Sequence, residues 1–216
     1  MGINFFELGA YLDAIASFDK AIALNPDYAK AWHNRGNALS DLGQYNKAVA
    51  SYDKAIAINP HDAIAWNDRG NALSNLGQYN KAVASYGKAI AIDSNDAQVW
   101  YNHGDALSNL GQYNKAIASY DKAIAINPKN TMAWYQRGNV LQYLGQHKKA
   151  VASYNKAINI NPNDTNLWFN HGNSLSNLGQ YNKAITSYDK AIAIDLNNHQ
   201  AMRARDIALQ QQDKKT

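Results

Sequence analysis

The 216-residue sequence contains no cysteine, which excludes disulfide bonds and thiolate metal sites. It also lacks an apolar run near the roughly 20 residues that a membrane-spanning helix requires. Its first residues show neither the basic segment nor the apolar core of a signal peptide. We therefore expect a cytoplasmic protein without a membrane segment. The net charge of +4 is small for this length and gives no reason to expect a nucleic-acid partner.

Motifs for catalysis are missing as well. The sequence has no phosphate-binding loop and no nucleophile motif. Its histidines are scattered, and none stands with another histidine or a carboxylate at a convincing metal-ligand spacing. We expect no enzymatic activity, no metal and no cofactor.

What the sequence does contain is one unit repeated with a period of 34 residues. Tryptophan recurs at this interval, and glycine recurs four residues after each tryptophan. A period of this length predicts stacked units that pack mainly on their neighbours. We expect a partial unit at 1–28, a terminal helix with a polar tail at 199–216, and between them five complete units over 29–198: 29–62, 63–96, 97–130, 131–164 and 165–198.

Each unit contains two blocks in which apolar residues recur at helical spacing. Gly43 separates the blocks, where a helix end favours a residue that tolerates the left-handed conformation. Pro60 ends the second block, and Asp62 is placed to cap the next helix. A glycine such as Gly36 costs about 1 kcal/mol in the middle of a helix relative to alanine. Its repetition predicts that two helix backbones approach closely there.

These residues resemble the tetratricopeptide repeat (TPR) family over nearly the whole chain, through the positions Trp32, Gly36, Ala48, Tyr52, Ala55 and Pro60. The resemblance implies an all-α, right-handed superhelical solenoid of antiparallel helix–turn–helix units. It also implies a non-enzymatic interaction module or scaffold, in which the first helices form a concave groove that binds an extended peptide or a partner helix.

One position departs from the usual TPR pattern, because arginine or histidine replaces the leucine before the repeated glycine. The residue at this position varies together with a residue of the preceding second helix. Where the first helix has arginine, the preceding second helix has aspartate; where it has histidine, the preceding helix has Gly87 or Asn155. This joint variation predicts structural ion pairs between adjacent units. The alternative is that the arginines extend into solvent. The predicted pairs are Asp19–Arg35, Asp53–Arg69, Asp121–Arg137 and Asp189–Arg205.

Two rows of residues are candidates for ligand contact in the implied groove. The central row is Asn37, Asn71, Asp105, Asn139 and Asn173, with Asn102 in a neighbouring row. Asparagine carries one acceptor and two donors on a short arm, so such a row can bind the backbone of an extended peptide. An outer row, Tyr101, Tyr135 and Phe169, is expected to anchor ligand side chains. The alternatives are solvated polar residues of a duplicated repeat and ordinary helix packing.

Two other interpretations of the chain remain open. Apolar residues near the N-terminus, Ile3, Phe5 and Phe6, would allow homo-oligomers, so self-assembly of a structural solenoid is an alternative function. The incomplete first unit also fits a TPR domain of a larger protein. Lysines such as Lys47 and Lys54 fall on the second helices, where we expect a solvated outer surface rather than a nucleic-acid site. The sequence does not identify the protein or peptide partner.

Overall fold

The computed structural model describes the backbone from Phe5 to Lys214 and the side chains from Leu8 to Lys214. Within that range the regular secondary structure is entirely α-helical, which confirms the expected fold class. The described helices are α1 (Phe5–Leu24), α2 (Ala29–Asp41), α3 (Tyr45–Ile58), α4 (Ala63–Asn75), α5 (Tyr79–Ile92), α6 (Ala97–Asn109), α7 (Tyr113–Ile126), α8 (Thr131–Tyr143), α9 (His147–Ile160), α10 (Thr165–Asn177), α11 (Tyr181–Ile194) and α12 (His199–Asp213).

The helices form two compact units, one ending at Gln112 and the other beginning at Tyr113. In the first unit, α2 packs on α3 and α4 packs on α5, while α1, α3 and α5 each pack on the helix that follows. The second unit repeats this scheme with the pairs α8–α9 and α10–α11, flanked by α7 and α12. The division falls between α6 and α7, inside the stretch 97–130 that we expected to form one repeat.

A glycine ends the first helix of each pair, as predicted. Gly43 has φ of 71°, and its N–H donates to the Ser40 carbonyl at 2.8 Å. The N–H of Gln44 donates to the Leu39 carbonyl at 2.8 Å, so the last turn closes as a Schellman motif. The same left-handed conformation occurs at Gly77, Gly111, Gly145 and Gly179.

The loop before each first helix is held by two polar contacts. Asp62 caps α4 as predicted, because its Oδ1 accepts from the N–H of Ala65 at 3.0 Å. In the same loop, Nε1 of Trp66 donates to the Pro60 carbonyl at 3.0 Å. Equivalent indole bonds, of 2.8 to 3.0 Å, tie the other four tryptophans to their loops. The repeated tryptophan therefore fixes the loop as well as filling space beside it.

The repeated glycine in the first helix contacts an aromatic ring. A Cβ added to Gly36 would lie 2.5 Å from Cε1 and 2.7 Å from Cδ1 of Tyr52, in the second helix of the same pair. The expected close approach of two backbones is therefore wrong about the neighbour, which is a buried tyrosine side chain. The same contact occurs for Gly70, Gly138 and Gly172.

Other expectations concern features away from this core. None of the described helices combines the length and apolar character that crossing a membrane requires. Among the described residues, no three His, Asp or Glu side chains are grouped to hold a metal ion. Ile3 and the side chains of Phe5 and Phe6, which carry the self-association hypothesis, lie outside the described part of the chain.

Candidate functional site

The asparagines of the predicted row lie on the first helices, and each contacts the tyrosine of its own helix pair. In every case the tyrosine hydroxyl donates to the carboxamide oxygen of the asparagine. The bonds are Tyr52–Asn37, Tyr86–Asn71 and Tyr154–Asn139, each 2.8 Å, and Tyr188–Asn173, 2.9 Å. Because the carboxamide oxygen of each asparagine faces the buried tyrosine, its amide N–H groups are directed away from that tyrosine.

The tyrosines of these pairs are almost fully buried. Burial raises the pKa of Tyr86 and of Tyr188 to about 12. Burial also raises the pKa of Tyr52 and Tyr154 well above the ordinary value for a phenol. All four hydroxyls therefore keep their protons at physiological pH and remain available as donors.

Two open clefts lie between neighbouring first helices of the first compact unit. The cleft between α2 and α4 has a volume of about 340 Å³, and its lining is Asn37, Ser40, Asp41, Tyr52, Asp68 and Asn71. The cleft between α4 and α6 has a volume of about 380 Å³, and its lining is Asn71, Ser74, Asn75, Tyr79, Tyr86, Asn102, Asp105, Ala106 and Asn109. The described lining of both clefts includes carboxylates but neither lysine nor arginine, so this groove is polar and acidic.

Asn102 has a different role from the rest of the predicted set. Its Nδ2 donates to Oδ1 of Asn67 at 3.2 Å and to Oδ1 of Asn71 at 3.1 Å, and its Oδ1 accepts from Gln98 at 2.8 Å. Both amide protons are therefore engaged in bonds that join α6 to α4. Asp105, the acidic member of the central row, lines the cleft between these two helices.

The groove of the second compact unit is neutral and more apolar. A cleft of about 380 Å³ lies between α10 and α12, and its lining is Gln142, Asn173, Ser176, Asn177, Tyr188, Ala204 and Ile207. Ile207 takes the place in α12 that asparagine holds in α10, and it is 57% exposed. The sequence interpretation missed Ile207, although the 34-residue register places it in the asparagine row.

The predicted aromatic anchors are half-buried rather than fully exposed. Tyr135 and Phe169 tilt against the buried rings of Tyr154 and Tyr188, with ring centroids 6.2 Å apart in both pairs. Tyr101 is half-buried on α6. Each ring thus packs partly on the core and leaves part of its surface accessible, so anchoring of a ligand stays a prediction.

The structure brings together the partners of all four predicted ion pairs. Each pair joins a first helix to the second helix before it. The separations are 2.7 Å for Arg35–Asp19, 2.6 Å for Arg69–Asp53, 2.6 Å for Arg137–Asp121 and 3.3 Å for Arg205–Asp189. The arginine side chains are 21 to 35% exposed and the aspartates about half exposed, so these pairs lie at the edge of the core.

Family models cover most of the chain. A model for "TPR repeat" matches residues 2–43, 70–111 and 104–145, which together are more than half of the sequence. The chain belongs to the tetratricopeptide repeat family. Two further models for "Tetratricopeptide repeat" match the TPR chain at 29–62 and 132–164 and at 51–84 and 153–186.

Solved structures agree with this assignment. The TPR chain is similar to YrrB, a TPR protein with an unusual peptide-binding site, with a TM-score of 0.77 and 27% identity over 88% of this chain and 97% of that one. It is also similar to MamA, with a TM-score of 0.73 and 25% identity over 76% of this chain and 96% of that one. For MamA from Desulfovibrio magneticus RS-1 the TM-score is 0.74 at 21% identity, over 79% of this chain and 97% of that one, and this likeness concerns the fold alone. Comparison with curated protein sequences gave no match.

The arginines of this TPR protein have a second partner that the sequence interpretation missed. Nη1 of Arg69 donates to Oγ of Ser85 at 2.7 Å, and the guanidinium lies 5.8 Å from the ring centroid of Trp66. Arg35, Arg69 and Arg137 each connect three consecutive helices in this way, whereas Arg205 contacts Asp189 of α11 and Asp206 of its own helix. Where histidine replaces arginine, Nδ1 of His171 contacts Oγ of Ser187 at 3.0 Å and Nε2 is buried without a partner among the described residues. Burial lowers the pKa of His171 to about 4, so this histidine is neutral at physiological pH.

Proposed function

We propose that the grooves formed by the first helices bind an extended peptide segment of a partner protein, so that the chain works as a non-enzymatic interaction module or scaffold. One observation carries this proposal: asparagines whose carboxamide oxygens accept from buried tyrosines line open clefts, and their N–H groups have no partner among the described residues. The likeness to YrrB, which has a peptide-binding site, supports the same function.

In the first unit the ligand would contact amides and carboxylates. The N–H groups of Asn37 and Asn71 are suited to carbonyl oxygens of an extended backbone. Asp41 and Asp68 offer acceptors to N–H groups or to basic side chains of the ligand, and Asp68 also contacts Nε2 of His33 at 2.8 Å. The negative charges of this groove favour a peptide that is neutral or basic over an acidic one.

In the second unit the ligand would make more apolar contacts. Asn139 and Asn173 continue the donor row, while one N–H of Asn139 already donates to Gln136 at 2.8 Å. The accessible parts of Phe169 and Ile207 provide surface for aliphatic or aromatic side chains. Half-buried rings held against a rigid core are suited to anchor such side chains, because they lose little conformational freedom on binding.

The test begins with selection of binders from a random dodecapeptide display library by the purified chain. Selected peptides are made with a fluorophore, and their affinities are measured by fluorescence anisotropy. Replacing Asn71 by Ala should weaken binding by about tenfold, because the uncharged hydrogen bonds from the Asn71 amide to the backbone of the peptide are lost. The matched control is Asn46→Ala, which removes the same group from the exposed face of α3. Equal losses in both variants, or none in either, would contradict binding in the groove.

A second comparison tests the aromatic contacts. Tyr135→Ala should weaken binding by about 1–3 kcal/mol. Tyr135→Phe keeps the ring but removes the hydroxyl that accepts from Asn170 at 3.0 Å, so it separates ring contact from this internal bond. Sedimentation equilibrium on the same samples, over about a hundredfold range of concentration, shows whether self-association competes with peptide binding. Unchanged affinity of Tyr135→Ala would remove the aromatic part of the proposal.

A further inference from the structure

The geometry of the tyrosine–asparagine pairs points to a specific kind of ligand. We propose that the buried tyrosine hydroxyls fix the asparagine carboxamides so that the groove presents N–H donors and recognises its ligand through hydrogen-bond acceptors. The tyrosines are then positioning residues, because they act on the ligand only through the asparagines. This inference rests on the proposed function and specifies which chemical groups of the ligand the groove recognises.

A tyrosine hydroxyl alone does not fix an amide, since it can donate to the oxygen or accept from the nitrogen. The surrounding network decides the orientation. Oδ1 of Asn71 accepts from Tyr86 at 2.8 Å and also from Nδ2 of Asn102 at 3.1 Å. If the carboxamide of Asn71 were flipped, its NH₂ group would face the NH₂ group of Asn102, with two donors opposed. The observed orientation is the one in which every contact has a donor and an acceptor.

The second compact unit shows a compatible arrangement with other partners. The Tyr154 hydroxyl contacts Oδ1 of Asn139 at 2.8 Å and Oε1 of Gln142 at 2.9 Å, and Nδ2 of Asn139 donates to Oε1 of Gln136 at 2.8 Å. Flipping Asn139 would oppose two acceptor oxygens at Gln136. It would also turn the NH₂ group toward Nδ2 of Asn170, which lies 3.5 Å from the present oxygen. The contacts of Asn139 are consistent with the orientation that the network around Asn71 selects.

A groove that presents N–H donors binds the hydrogen-bond acceptors of a ligand and not its donors. Among the described residues, both amide protons of Asn37, Asn71 and Asn173 lack a protein partner, and Asn139 keeps one such proton. These protons require carbonyl oxygens from the ligand and make no use of its N–H groups. An extended or polyproline II segment fits this requirement, because its carbonyls are not used in internal hydrogen bonds. Residues without an N–H, such as proline, should be accepted along these asparagines.

The orientation is tested without any ligand by neutron diffraction from crystals of the deuterated protein. We expect the deuterium of each tyrosine hydroxyl to point at the asparagine oxygen and both amide deuteriums of Asn71 to point into the cleft. Amide deuteriums of Asn71 or Asn139 that point at the tyrosine would overturn the inference. This result does not depend on whether a peptide binds.

The ligand chemistry is tested with a dodecapeptide from the display selection and two backbone analogues of it. An amide-to-ester replacement removes one N–H and keeps the carbonyl, whereas an alkene replacement removes both. At positions along the asparagines we expect the ester analogue to bind within about twofold of the parent and the alkene analogue to bind about tenfold more weakly. A tenfold loss for the ester would overturn the inference while leaving peptide binding intact. Failure of the parent peptide to bind would instead refute the proposed function.

The role of the tyrosines is tested by removing only the hydroxyl. Tyr86→Phe keeps the ring that covers Gly70 but releases the carboxamide of Asn71 to turn. We expect the parent peptide to bind about fivefold more weakly and the ester analogue to lose its parity with the parent. Tyr45→Phe, a half-buried tyrosine of α3 outside these pairs, is the control and should change neither value. If Tyr86→Phe weakened parent and ester equally, the tyrosine would be a structural residue only.

Discussion

Replacing Gly70 by alanine sets two well-known effects against each other. Alanine is the better helix former by about 1 kcal/mol, so helix propensity alone predicts a more stable protein. The structure predicts the opposite. The new Cβ would lie 2.5 Å from Cε1 of Tyr86, about 0.9 Å closer than the 3.4 Å at which ordinary contact begins.

The loss of stability in Gly70→Ala depends on how easily the ring of Tyr86 can move away from the new Cβ. Its ring is 2% exposed and packs in a cluster with Leu73 and Ala82, so any displacement of the ring disturbs these contacts. Overpacking of this kind costs about 1–3 kcal/mol. A displaced ring also weakens the 2.8 Å bond to Asn71, which is worth about 1 kcal/mol. After the gain in helix propensity is subtracted, we expect a net loss of about 1–3 kcal/mol in the free energy of unfolding.

The chain provides a matched control for this change. Gly87 lies within α5, and a Cβ added there would meet no atom within 4 Å. Gly87→Ala should therefore stabilise the protein by up to about 1 kcal/mol. Urea unfolding followed by circular dichroism measures both variants under the same conditions. A Gly70→Ala variant as stable as the wild type would show that the tyrosine ring yields at no cost, and the packing argument would be wrong.

Three further predictions concern the polar contacts between helices. Trp66→Phe removes the indole N–H that donates to the Pro60 carbonyl and should lower the free energy of unfolding by about 1 kcal/mol in urea titrations. Burial lowers the pKa of His171 to about 4 from its ordinary value of 6.5. Between these two pH values the histidine is protonated in the unfolded chain and neutral in the folded chain. Stability should consequently fall as the pH is lowered through this window, by about 2 kcal/mol between pH 7 and pH 5, and His171→Asn should remove that part of the slope. Asn155→Asp combined with His171→Arg should recreate the pair seen elsewhere, with a coupling of about 0.5–1 kcal/mol in a double-mutant cycle, and zero coupling would contradict the prediction.

The helices and their ends were predictable because the signals for them are local. A left-handed φ at Gly43 and a side-chain cap at Asp62 each depend on a few neighbouring residues. The repeat then shows the same pattern five times, which removes the ambiguity that one copy would leave. The partner of Gly36 was not predictable in this way, because it lies in another helix, sixteen residues along the chain at Tyr52.

The ion pairs were predictable for a different reason, namely that their two positions vary together from repeat to repeat. Arg69 follows Asp53, whereas His171 follows Asn155. The serine that completes the arginine contacts does not vary, since Ser85 and its equivalents are the same in all five repeats. A residue that never changes carries no information about which partner it has. Its contact with Nη1 of Arg69 became visible only in the structure.

The recurrence of asparagine in the central row has a structural explanation. Asn71 and Asn139 each accept from a tyrosine that is also constant among the repeats, so a structural need is enough to explain why asparagine recurs. Recurrence therefore gives no support to ligand binding. The support comes from the amide protons that the tyrosine contact leaves without a partner, because an asparagine needed only as an acceptor gains nothing from placing them on an open cleft. Selectivity among ligands must then come from residues that differ between repeats, such as Asp41 in the first unit and Ile207 in the second.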